Sequence, residues 1–140
     1  MNNPLIVLIV FGICIGSSNG FQTYMLGKRT VMLCNQLEHN KLLKIRCDNG
    51  EGEKLVKIGG EYEFTFGDDF FGTTRYSCTM NQGPNNFKHH QEFAAYDASW
   101  SKAFVATCKW IAREDGIYFS QDENPPLKRY AWDDPHLLKN

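Results

Sequence analysis

Residues 59–80, GGEYEFTFGDDFFGTTRYSCTM, limit the folds open to this chain more than any other stretch. Tyr62, Phe64 and Phe66 share one parity, and Glu61, Glu63 and Thr65 take the other. Side chains alternate across a strand, so the rings line one face and the charges meet water. Gly67-Asp68-Asp69 breaks the run. After Gly72 the alternation returns, with Thr74, Tyr76, Cys78 and Met80 on one side and Arg75, Ser77 and Thr79 on the other. Two half-buried strands about a loop predict a long hairpin with one apolar face. Such a face must be covered by the rest of the chain.

The remaining segments repeat the period of two. Lys28 to Gln36 reads as a first strand, with Val31 and Leu33 opposed to Met32 and Cys34. Lys41 to Cys47 alternates again and predicts an opening hairpin with the first strand. Asp48 to Glu53 is a turn-rich acidic loop, because Asn49-Gly50 supplies positive φ cheaply. Lys54 to Ile58 is a brief extended piece, and Phe87 to Tyr96 a further strand with Phe93 and Ala95 inward. Phe104, Ala106, Cys108 and Trp110 alternate with Thr107 and Lys109, and Asp115-Gly116 marks a hairpin to Ile117–Gln121. Pro125, Pro126 and Pro135 argue against regular structure in the tail, with Leu127, Tyr130 and Trp132 available to pin it. No stretch carries apolar residues at helical spacing. The expected fold is all-β: a small antiparallel β-sandwich of about seven or eight strands, stabilised by disulfides.

Residues 1–20 contain no charged side chain, and Leu5 to Ile15 is an apolar run too short to cross a bilayer. With Gly16-Ser17-Ser18-Asn19-Gly20 behind it, the run reads as a secretory signal peptide cleaved before Phe21. The domain then spans 21–140 and keeps Cys34, Cys47, Cys78 and Cys108. An even cysteine count in a small extracellular domain predicts disulfides, and four cysteines allow three pairings. No C-x-x-C spacing points to zinc or to thiol redox chemistry. The net charge of −1 implies no nucleic-acid partner. Nothing after residue 20 is apolar enough for membrane insertion.

Catalytic motifs are absent from the sequence. His89 and His90 adjoin on a strand, so they face opposite ways and do not chelate one metal; His39 and His136 are isolated. The adjacent acids Asp68-Asp69, Glu114-Asp115 and Asp133-Asp134 read as solvated loop carboxylates rather than a hydrolase pair. No enzyme activity, cofactor or metal is expected. Asp68, Asp69, Phe70 and Phe71 form the sharper candidate, since paired rings in a surface loop can anchor an interface. The plainer reading has those rings folding back to cap the sandwich. Arg113, Glu114 and Asp115 at the last hairpin tip are a second possible contact, against an ordinary turn.

Taken in order, VMLCNQL (31–37), LKIRC (43–47), GEYEFTF (60–66), GTTRYSC (72–78), Phe93 to Asp97, CKW (108–110) and DGIY (115–118) resemble the plant self-incompatibility S1 family, the S-protein homologues. The resemblance covers nearly all of 21–140. It implies a small secreted β-sandwich that acts as a monomeric protein ligand, read by the ectodomain of a membrane receptor on plant cells, as in pollen–pistil recognition. The alternative is a secreted defence or carbohydrate-binding module without a signalling role. Arg46 replaces the family's usual His, and Gly50-Glu51-Gly52-Glu53 replaces its usual acidic turn. Many members carry a further cysteine near the position of Val105, whereas Cys34 is an addition here. That exchange suggests Cys47–Cys108 and Cys34–Cys78 as the bridges.

Overall fold

The computed structural model describes residues 28–67, 72–100 and 107–138. Within them lie nine strands: β1 (Lys28–Asn35), β2 (Leu43–Cys47), β3 (Glu53–Val56), β4 (Glu61–Gly67), β5 (Arg75–Gln82), β6 (His89–Asp97), β7 (Thr107–Arg113), β8 (Gly116–Gln121) and β9 (Leu127–Tyr130). They form a five-stranded sheet, β4-β1-β7-β8-β9, and a four-stranded sheet, β3-β2-β5-β6. The sandwich is as expected, with more strands than expected. The expected signal peptide, residues 1–20, lies outside the described residues.

Pairing differs from the sequence reading at three places. β4 and β5 are not a hairpin. They belong to opposite sheets, and their aromatic faces meet across the core, with Phe66 and Tyr76 at 4.7 Å and Phe64 and Tyr76 at 5.2 Å. Connector 68–74 therefore crosses between the layers, which in sandwiches stand about 10 Å apart. Likewise β1 and β2 are split between the sheets. β1 instead pairs antiparallel with β4 and parallel with β7, so the larger sheet is mixed. Alternation defines an apolar face but does not name the neighbour beside the strand. The tail also adds regular structure: β9 pairs with β8 despite the prolines, which all fall outside it. The hairpin at Glu114-Asp115 is as expected, with Arg113 opposite Gly116.

The core lies between the sheets. Val31, Leu33, Leu43, Ile45, Phe64, Met80, Phe93, Ala95, Trp110 and Ile117 fill it, each the inward member of its strand. Tyr130 and Trp132 close one side, as expected of the tail, whereas Leu127 stays exposed. Asn35 is the buried polar exception. Its amide donates to Lys41 O and Val56 O, both at 2.9 Å, and its Oδ1 accepts from Leu37 N at 2.9 Å. It thus ties the end of β1 to the other sheet.

The expected disulfides are corrected. Cys47 is bonded to Cys78, its direct partner in the β2–β5 ladder, with Cα atoms 4.0 Å apart. Cys108 carries a buried thiol instead. The reason is topological. Cys108 lies on β7 in the opposite sheet, while Cys78 already stands beside Cys47. Cys34 is also disulfide-bonded. It cannot serve Cys78, because its side chain points to the outer face of the larger sheet, among Met32 and Ile111.

Candidate binding surface

Two connections run from one sheet to the other at the same end of the sandwich. β4 feeds β5 through 68–74, and β6 feeds β7 through 98–106. Their described flanks are joined. Ala98 N donates to Thr74 O at 3.0 Å, and Arg75 Nε lies 3.8 Å from Asp97 Oδ2. Asp97 also accepts from Ser99 N and Ser99 Oγ, which hold its carboxyl below the usual range. A short 3-10 turn, Ala98–Trp100, follows and leaves Trp100 42% exposed. Asp68, Asp69, Phe70 and Phe71 fall outside the described residues.

The second sequence candidate is engaged within the fold. Glu114 accepts from Glu38 N and Lys41 Nζ, each at 2.7 Å; the lysine bond leads in holding its carboxyl below the usual range. Arg113 Nε donates to Gln36 Oε1 at 3.0 Å, and its guanidinium lies 4.4 Å over the Tyr118 ring. Asp115 accepts from the Tyr118 hydroxyl at 3.0 Å and pairs with Lys128 at 3.5 Å. These contacts suit the ordinary turn.

The histidines behave as their parity suggests. His89 Nδ1 meets Asp133 Oδ2 at 2.7 Å, while His90 Nδ1 meets Asn81 at 3.2 Å. Among the described residues no group of three or more His, Cys, Asp or Glu could hold a metal. One carboxyl is displaced upward. Burial first, then the hydrogen bond and charge of Glu63, push Glu61 to about 7, against a smaller pull from Lys109. Lys109 is itself pushed down by burial, with Glu61 opposing. Lys109 stands on the polar parity of β7 yet is buried, which alternation could not foresee.

A cleft missed by sequence reasoning opens beside β8 and β9, with Ala94 of β6 on its border. Trp100, Trp110, Phe119, Gln121, Arg129 and Tyr130 are among its walls, around a volume of about 310 Å³. Nothing in the sequence signals the placement of Arg129 beside Phe119 and Trp110.

Residues 30–132 match the family model described as plant self-incompatibility protein S1. S-protein homolog 17 of Arabidopsis thaliana is 34% identical over 131 residues, 91% of this chain and 90% of the relative. S-protein homolog 9 of the same plant is 36% identical over 135 residues, 94% of this chain and 99% of the relative. A solved structure of a self-incompatibility protein homologue superimposes with a TM-score of 0.61 at 29% identity, covering 75% of this chain and 94% of that one. It is described as one of a widespread family of small, highly stable, secreted plant proteins.

Proposed function

Because the chain belongs to the plant self-incompatibility S1 family, whose homologues are small secreted proteins rather than known enzymes, we propose that it is an extracellular ligand that binds a receptor ectodomain on plant cells. Residues 1–20 direct export and are removed before Phe21, and the product acts as a monomer. One observation carries the binding role. Both sheet-to-sheet connections leave one end of the sandwich side by side, clasped through Ala98 and Thr74 and through Arg75 and Asp97. An end clasped in this way can present Asp68, Asp69, Phe70 and Phe71 together with exposed Trp100 to one partner. Catalysis has no part in this reading. Binding favours one receptor state over another by its difference in affinity for the two.

The test compares the tagged, secreted protein with a Phe70→Ala, Phe71→Ala variant on living plant cells. The variant is expected to be secreted and to melt as wild type does, while surface binding is lost. Failure of secretion would instead assign those rings to capping the sandwich. Cross-linked pull-down from plant membranes identifies the partner, and amino-terminal sequencing of the secreted protein should begin at Phe21.

A further inference from the structure

The cleft beside β9 has the chemistry of a small-ligand site. At one end of β8 and β9 the inward Ile117 and Tyr130 pack against the core, Tyr130 at 6.1 Å from Phe93 of β6, whereas Phe119 further along β8 is only partly covered. Phe119 stacks on Trp110 at 4.4 Å and stands 5.9 Å from Trp100, leaving a ring-lined wall half open to solvent.

Into this wall comes one cation. In the β8–β9 ladder Tyr118 faces Lys128 while Ile117 faces Tyr130, so Arg129 is the extra residue of a bulge. A bulge re-aims side chains, and here it turns Arg129 towards the inner side with Tyr130. The guanidinium lies 5.8 Å over the Phe119 ring and lines the cleft. Among the described residues it makes no ion pair, and its Nε is buried with no acceptor. A half-buried guanidinium whose Nε–H has no acceptor is costly unless something supplies one.

We propose that this cleft binds a small carboxylic acid carrying one or two flat apolar rings. The ring system would lie against Trp100, Phe119 and Tyr130, and the carboxylate would take paired hydrogen bonds from Arg129. The volume of about 310 Å³ stands near the lower bound for ligand pockets and suits a ligand of that size. The cleft shares Trp100 with the proposed receptor-facing end, so Arg129→Met, which leaves that end untouched, tests the cleft alone.

The probe is 1-naphthylacetate, titrated calorimetrically into the intact secreted protein, with 1-naphthylmethanol and D-galacturonate in parallel. Saturable one-to-one binding of the acid is expected. The neutral alcohol should bind about 10–100-fold more weakly, the span expected when a charge-assisted hydrogen bond is lost. Arg129→Met should weaken the acid by the same factor and leave the alcohol unchanged. Trp100→Ala, at the exposed rim, should weaken both, and its position outside the sheets protects folding. Absence of saturable binding at millimolar probe, equal binding of acid and alcohol, or an Arg129→Met variant that melts normally and binds the acid unchanged would each overturn the proposal. Galacturonate binding as tightly as the aromatic acid would overturn the ligand class.

Discussion

Removal of the Cys47–Cys78 bridge is the sharpest test of the observed pairing. The bridge closes a loop of sequence separation 31 between two strands already adjacent in one sheet. In the chain-entropy account, a loop of that length restricts the unfolded state by about 3.7 kcal/mol at 25 °C. Both cysteines are buried, so replacing them with alanine adds a modest loss of packing. For a domain of this size, 1 kcal/mol shifts the melting temperature by about 4 °C, which predicts a fall of about 15 °C for the double Cys47→Ala, Cys78→Ala variant. Thermal melts followed by circular dichroism read this directly. The essential control is Cys108→Ala. That buried thiol is not bridged, and its loss should cost only about 1 kcal/mol. If Cys108→Ala falls as far as the double variant, Cys108 belongs in a bridge and the ladder register around Cys47 is wrong.

Three further outcomes follow from single residues. Gly116→Ala should fail to fold or lose more than about 3 kcal/mol in urea titration, because its Cβ would fall inside the van der Waals contact of Tyr130 O and 2.8 Å from Lys128 Cε; Gly50→Ala, whose Cβ meets nothing within 4 Å, should cost only about 1 kcal/mol. Asn35→Ala strips partners from two carbonyls and one N–H at the join of the sheets and should cost about 3–4 kcal/mol by the same measurement. Glu61 gives a pH signature. Its folded carboxyl titrates at about 7, above the ordinary 4.5, so the folded state holds a proton that the unfolded state releases first. This contribution is fully present below about 4.5 and lost as pH rises through 7, so the urea midpoint of Glu61→Gln should gain on wild type between pH 5 and pH 8; a gap constant with pH refutes it.

The period of two told much about this fold and little about its connections. It placed Phe64, Phe93 and Trp110 inward correctly, because a face is a local property of alternating side chains. It mispaired β4 with β5, because partners are chosen by packing between distant segments. The disulfide error has the same root: one β2–β5 ladder position decides it. Asn35 did leave a trace, as a polar residue on the inward parity of Val31 and Leu33. Arg129 left none. Its inward turn depends on a bulge that appears only when β9 is laid against β8. As for the loop rings, the sequence named Phe70 and Phe71, and the structure adds the clasped flanks on either side.

The tail does more than close the core. β6 borders its sheet, and such a border offers unpaired backbone groups to any passing strand. Asp133 occupies that border at His90, giving its N–H to the carbonyl at 2.9 Å and taking the backbone N–H on its carboxylate at 2.8 Å. Gln91 holds the strap with bonds to Ala131 O and Asp134 O, and Trp132 Nε1 fastens it to Arg113 O on the other sheet. The protein therefore carries its own guard against strand-to-strand polymerisation, and a chain shortened before Ala131 would expose the template for it.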